Sequence, residues 1–206
     1  MNRLLLGTRN EGKIREAKGL LAGIAGLELL TFSDFPFSPV PETGSTFLEN
    51  ALLKAKSICA ETGLSTLSED AGLEVHALGG DPGVRSARFA GEPSDPAKNN
   101  AWLLRRLEGV SDRRARFITV AVLCLTDGQI FVTTGTFPGT IAYTPSGTHG
   151  FGYDPLFLPH GMERTLGQLP LEEKNRMSHR CKALSRMKAI LENLIQWGEL
   201  DTLSIK

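Results

Sequence analysis

The sequence predicts a mixed α/β fold on three observations: a long alternating hairpin signal near the middle, a short buried strand at the start, and strong helix patterns at both ends. "RLLLG" (3–7) reads as the first strand, and "GKIREAKGLLAG" as the helix after it. Thr46 opens the next helix as N-cap, with Glu49 three residues on as its capping-box partner. That helix, "FLENALLKAKSICAET", ends at Gly63, a suitable left-handed cap. A strand at 64–68 follows and delivers Glu69 and Asp70 at its end. In "SDPAKNNAWLLRRLEG", Ser94 or Asp95 caps a helix with Pro96 near its first position. "RARFITVAVLCLTDGQIFVTTGTF" gives two strands joined by a two-residue turn at Asp127-Gly128. From Phe137 to Pro170 the chain is rich in Gly and Pro, hence loop and short strand. Leu184, Met187, Leu191, Leu194 and Ile195 then stripe a closing helix from about Ser178 to Ile195.

Composition narrows the function classes. The 206 residues carry 23 basic and 23 acidic side chains, so no basic surface announces a nucleic-acid partner. No apolar run suits a signal peptide or a membrane span. Three cysteines without a CxxC pair read as reduced, buried thiols in a cytoplasmic protein, and four histidines without ligand spacing argue against zinc. No linker or repeat divides the chain, which is expected to form one domain over 1–206.

Five stretches carry chemistry. "GTRNEGKI" (7–14) lies between a strand and a helix start, where free amides and the helix dipole favour phosphate. Its Gly7…Gly12-Lys13 spacing matches a P-loop, but Ile14 stands where Ser or Thr must bind magnesium. Lys13 would then supply charge, Thr8 and Asn10 side-chain hydrogen bonds, and the metal ligands must come from elsewhere. Glu42, Glu69 and Asp70 are the candidates, since magnesium takes one or two carboxylates plus phosphates and waters. Glu69 and Asp70 point to opposite faces of an extended segment and so have different roles. Small Ala71 and Gly72 leave room for a phosphate, although the same pattern also suits a solvated turn.

"SGTHGFGYDPLF" (146–157) combines pliable glycines with the large rings of Phe151 and Tyr153, which suit a stacked nucleobase or a core. Asp154 offers an acceptor to a ring nitrogen or ribose. In "EEKNRMSHRCKALSRM" (172–187), Lys174, Arg176, His179 and Arg180 crowd a helix start, against the dipole preference. An arginine donor there suits a base carbonyl and offers nothing to an amino group, a physical basis for preferring 6-keto purines.

Taken together, "GTRNEGKIREAKGLL", "ETGSTFLENALLKA", "SEDAGLEVHALGGDPGVRSARFAG", "GTHGFGYDPLF" and "EEKNRMSHRCKAL" resemble, in order, the inosine triphosphate pyrophosphatase family, the XTP/dITP diphosphatases. The resemblance implies an elongated mixed β-sheet flanked by helices, with two lobes and a central nucleotide cleft, usually in a homodimer. It implies Mg2+-dependent conversion of ITP, dITP and XTP to monophosphate and pyrophosphate. Thr8, Arg9, Asn10, Glu11, Gly12 and Lys13 would hold the phosphates, with Lys54 nearby. Glu42, Glu69 and Asp70 would form the metal centre, with Asp70 as general base. Phe151, Gly152, Tyr153, Asp154, Lys174, His179 and Arg180 would recognise the base and sugar-phosphate. Three positions depart from the family pattern: Glu69 and Ala71, since Glu69-Asp70-Ala71-Gly72 replaces Asp-Asp-Ser-Gly and leaves only a backbone amide at Ala71, and Arg9, which adds a charge to the phosphate loop. A P-loop NTPase, with "VAVLCLTD" (120–127) ending on a metal-binding Asp127, is the first rival. A related pyrophosphatase acting on pyrimidine or modified nucleotides and a catalytically silent nucleotide-binding module are the others.

Overall fold

The computed structural model describes residues 1–200, arranged as a mixed six-stranded sheet with flanking helices. In chain order the elements are β1 (Asn2–Leu6), α1 (Glu11–Leu21), β2 (Leu27–Leu30), α2 (Phe47–Thr62), β3 (Thr66–Val75), α3 (Pro96–Arg106), β4 (Arg114–Cys124), β5 (Ile130–Ile141), β6 (Phe157–Pro159), α4 (Leu171–Lys174) and α5 (His179–Trp197). The strands hydrogen-bond in the order β2-β1-β3-β4-β5-β6. β1 runs parallel to both β2 and β3, whereas β6 is antiparallel to β5.

Local signals fix the helix ends. Thr46 and Glu49 form the reciprocal capping box of α2, and Gly63 closes it at φ 66°. Asp95 caps α3 through the amides of Ala97 and Lys98, with Pro96 in the first turn. Two expectations are corrected. β3 does not end before the carboxylates but runs through them to Val75, because Leu73 and Val75 keep the alternation and are fully buried. The β4–β5 turn has three residues, not two: Leu125 N–H donates to the Gln129 carbonyl and Gly128 N–H to Leu125. Gly128 supplies the positive φ, 92°, that such a turn needs.

The chain divides into two compact units. The first comprises Met1–Asp70, Thr119–Gly135 and the segment from Arg180; the second comprises Ala71–Ile118 and Thr136–His179. In the first, period-two alternation gives β1 two apolar faces. Leu4 and Leu6 pack with Ala17 and Leu21 of α1 and with Leu184, Met187, Leu191 and Leu194 of α5. Leu5 packs the other way, with Phe37, Ile58 and Leu64. Each fully buried leucine contributes roughly 1.5–3 kcal/mol, so the α5 stripe holds that helix firmly. The second unit has its own core, centred on Leu73, Val75, Leu103, Phe117, Tyr153, Phe157 and Leu166.

Candidate active site

In the first unit, the phosphate-type loop leaves β1 at Gly7. A Cβ there would lie 2.1 Å from Ser68 Oγ, so only glycine lets the loop pass this close to β3. Asn10 caps α1 by accepting from Lys13 N–H at 3.1 Å, and its own N–H donates to Thr8 Oγ1. The side-chain carbonyl of Asn10 is thus spent on the helix start. Glu11 is exposed in the first turn, while Gly12 and Lys13 are half-buried. Arg9 turns away from the loop: its guanidinium lies 4.3 Å from the Phe32 ring centroid and 5.6 Å from that of Phe37, and it donates to the Phe37 carbonyl. The charge added at this position ties the loop to residues 32–37 rather than standing free for a phosphate.

Glu69 and Asp70 face opposite sides of β3, and their surroundings differ accordingly. Arg180 Nε donates to both oxygens of Glu69 at 2.8 and 2.9 Å, and its Nη1 donates to Glu16. Lys13 Nζ adds a contact to Glu69 at 3.7 Å. On the other face, Asn50 Nδ2 donates to Asp70 at 3.2 Å, and Lys54 Nζ lies 3.5 Å from Asp70 and 2.5 Å from Glu42. Glu42 reaches that position because its loop folds back over the start of α2. Gly44 N–H donates to Asn50 Oδ1, and a Cβ on Gly44 would meet Glu49 at 2.7 Å.

Among these seven side chains, four carboxylates (Glu16, Glu42, Glu69, Asp70) face three cations (Lys13, Lys54, Arg180). Glu69 has two of the cations against it, whereas Glu42 and Asp70 share Lys54. The hard oxygens and surplus negative charge on the Glu42–Asp70 side fit a magnesium ion, which needs only one or two carboxylates beside phosphate and water. Burial pushes the Asp70 carboxyl above its ordinary range, with Lys54 and Lys13 opposing it. Burial likewise pulls the Lys13 ammonium down, with Glu69 opposing.

In the second unit, the aromatic loop is organised around a buried ion pair. Asp154 Oδ2 accepts from Phe151 N–H at 2.8 Å and from Lys174 Nζ at 2.6 Å, and that Nζ lies 4.7 Å from the Phe151 ring centroid. Lys174 and Asp154 are both almost fully buried, and Phe151 and Gly152 are half-buried above them. Asn100 Nδ2 holds the Gly152 carbonyl at 3.1 Å. Tyr153 belongs to the apolar core instead of standing open to a base: it is 4% exposed and its hydroxyl donates to the Ser86 carbonyl. His179 is also buried, stacked on Phe117 at 4.7 Å between centroids. Arg180, expected to donate to a base carbonyl, is 1% exposed with Nε and Nη1 committed to Glu69 and Glu16. Ala71 begins the second unit and is half-buried.

Gly150 shows how tightly this loop is set. It has φ 74°, and a Cβ would fall 2.0 Å from Asp154 Oδ2. Gly150→Ala combines left-handed strain with displacement of a buried carboxylate, and lowers stability by about 1–3 kcal/mol. Denaturant unfolding measures this; an unchanged midpoint contradicts it.

A family model described as the Ham1 family matches residues 4–190. The chain belongs to the Ham1 family. It is similar to the dITP/XTP pyrophosphatase of Elusimicrobium minutum, at 47% identity over 90% of this chain and 97% of that one. It is also similar to the dITP/XTP pyrophosphatase of Mycobacterium tuberculosis, at 45% identity over 94% and 97%. Among solved structures, a HAM1 protein from Coxiella burnetii matches with a TM-score of 0.86 and 36% identity, covering 94% of this chain and all of that one. The Staphylococcus aureus Ham1 protein matches with a TM-score of 0.83 and 38% identity over 93% and 98%.

Sequence reasoning missed four residues that order the candidate residues of this Ham1-family chain: Glu16 and Asn50 in the first unit, Ser86 and Asn100 in the second. Glu16 left a signal, because it is a charge on the helix face that also buries Ile14, Ala17 and Leu21. The other three are ordinary polar residues whose partners lie far away in sequence, and nothing local marks them.

Proposed function

We propose that this protein hydrolyses ITP, dITP and XTP to the monophosphate and pyrophosphate, with magnesium, and so removes deaminated purine nucleotides. The observation that carries this is the charge arrangement of the first unit: a lysine-bearing loop at the head of α1, beside a carboxylate pair with surplus negative charge. The naming of its relatives as dITP/XTP pyrophosphatases supports the same substrates. Thr8 to Lys13 bind the triphosphate through the loop amides, the dipole of α1 and the Lys13 charge. Glu42 and Asp70 hold magnesium, and Glu69 acts mainly as the counter-ion of Arg180 and Lys13. When bound, the ion neutralises phosphate oxygens and the departing pyrophosphate.

Asp70 is the general base: it takes the proton of the water that attacks the α-phosphorus, while Asn50 fixes the orientation of its carboxylate. Lys13 stabilises the leaving group. Phe151 offers its ring face to the base, and the backbone of Gly152 and Tyr153 lines the same place. Lys174, Asp154 and His179 hold that surface in shape. Asn10 and Glu11 act chiefly by forming the helix start. A homodimer and cytoplasmic residence complete the proposal. Free thiols at Cys59, Cys124 and Cys181 support a reducing compartment; Cys59 and Cys124 are buried, whereas Cys181 is half-buried and not buried as expected.

The P-loop alternative is weakened by Ile14, buried at 7% exposure on α1, and by Asp127, which accepts from Gln129 in the hairpin turn. Incubation with ITP, ATP and GTP in magnesium, followed by chromatography, separates the two. Pyrophosphate and IMP with little product from the others is expected; orthophosphate and diphosphates, or no base preference, would reject the proposal.

The pH profile follows from the two shifted groups. Asp70 works as a base only when ionised, and its pKa is raised, so activity falls on acidification from a point above the ordinary aspartate value of about 3.9. Lys13 works only when charged, and its pKa is lowered, so the alkaline limb begins below the ordinary lysine value of about 10.4. A bell-shaped kcat/KM profile narrowed from both sides is expected, and limbs at the unshifted values would contradict these assignments.

A further inference from the structure

We propose that Lys54 occupies the place of the divalent cation between Glu42 and Asp70 and yields it when the cation binds; this rests on the magnesium-dependent reading above. The ammonium lies 2.5 Å from Glu42 Oε1 and 3.5 Å from Asp70 Oδ1, so one positive centre bridges carboxylates from a loop and a strand. Lys54 and Asp70 are largely buried, with side-chain exposures of 12% and 7%. Without a cation between them, the two carboxylates would repel each other in a poorly solvated place. An ammonium meets that need with one charge, and a divalent ion meets it with two. Both cannot sit between the same oxygens.

The exchange needs only a side-chain movement. α2 is fixed at one end by the Thr46–Glu49 box and at the other by Gly63, so the helix stays while the four-carbon stem of Lys54 rotates. Asn50, one turn earlier on α2, keeps its bond to Asp70 during the exchange. A displaced lysine needs a new anionic partner, and the phosphates of a nucleotide supply one. Metal and triphosphate therefore bind with positive coupling: the ion alone must first expel Lys54, and the nucleotide removes that cost.

The test is Mn2+ binding to the metal-free protein without nucleotide, measured by calorimetry or electron paramagnetic resonance. Lys54→Gln is expected to tighten Mn2+ binding by about tenfold or more. Lys13→Gln removes the next strongest positive influence on Asp70 without vacating the bridge, and is expected to change affinity several-fold less. Unchanged or weaker binding in Lys54→Gln, an equal gain in Lys13→Gln, or no binding in any of the proteins would overturn the proposal. A crystal of the native protein soaked in Mn2+ gives a check that does not depend on a variant folding. An anomalous peak against Glu42 and Asp70 with Nζ moved off Glu42 is expected. A peak elsewhere, no peak, or an unmoved Nζ contradicts the exchange. Pyrophosphate release by the native enzyme tests the underlying reaction separately, so either idea can fail while the other stands.

Discussion

Asp70→Asn lowers kcat for ITP by about 10²–10⁴-fold while leaving the protein folded. The substitution is nearly isosteric, and the amide oxygen still accepts from Asn50 Nδ2, so the local hydrogen bond survives. It also removes a charge from a buried position, where burial already disfavours ionisation, so the fold loses little. What disappears is the proton acceptor and one hard oxygen ligand. Circular dichroism and thermal unfolding verify the fold, and steady-state kinetics measure the loss. A folded variant with near-normal turnover would remove Asp70 from the chemistry.

Arg180→Met destabilises the protein by about 3–5 kcal/mol, because it leaves the buried carboxylates of Glu16 and Glu69 without their shared guanidinium. For a chain of this size that is a fall in Tm on the order of 10 °C. Adding Glu16→Gln to Arg180→Met removes one of the stranded charges and recovers part of the loss, a coupling that a double-mutant cycle quantifies. Activity falls as well, since Glu69 loses the partner that fixes it beside Lys13. With Arg180 committed in this way, ITP and ATP rates fall together. A variant of unchanged stability whose only defect is lost preference for inosine over adenine would return Arg180 to the base-reading role its position in the sequence first suggests.

Most local signals were legible in the sequence, the length of the turn at Asp127-Gly128 excepted, and long-range ones were not. The box at Thr46, the cap at Gly63, Asp95 before Pro96 and the stripe of α5 each depend on residues within a turn or two, and each forms as expected. The loop at Gly7–Lys13 was visible for the same reason. The length of β3 was not. Carboxylates inside a strand look like a strand end until their partners appear, and Arg180 stands 111 residues from Glu69. Tyr153 shows the converse. A tyrosine between glycines suits a ligand or a core equally, and what decides is Ser86, 67 residues away, accepting its hydroxyl. Arg9 followed the same logic: a new charge on a phosphate loop suggests phosphate, but Phe32 and Phe37 take it.

The central claim is that water attacks the α-phosphorus and pyrophosphate leaves. Hydrolysis of ITP in 18O-labelled water, followed by mass analysis of both products, tests it most directly. The expected result is one 18O in the inosine monophosphate and none in the pyrophosphate. Label in pyrophosphate or in released orthophosphate would place the attack at another phosphorus and contradict the roles given to Asp70 and Lys13.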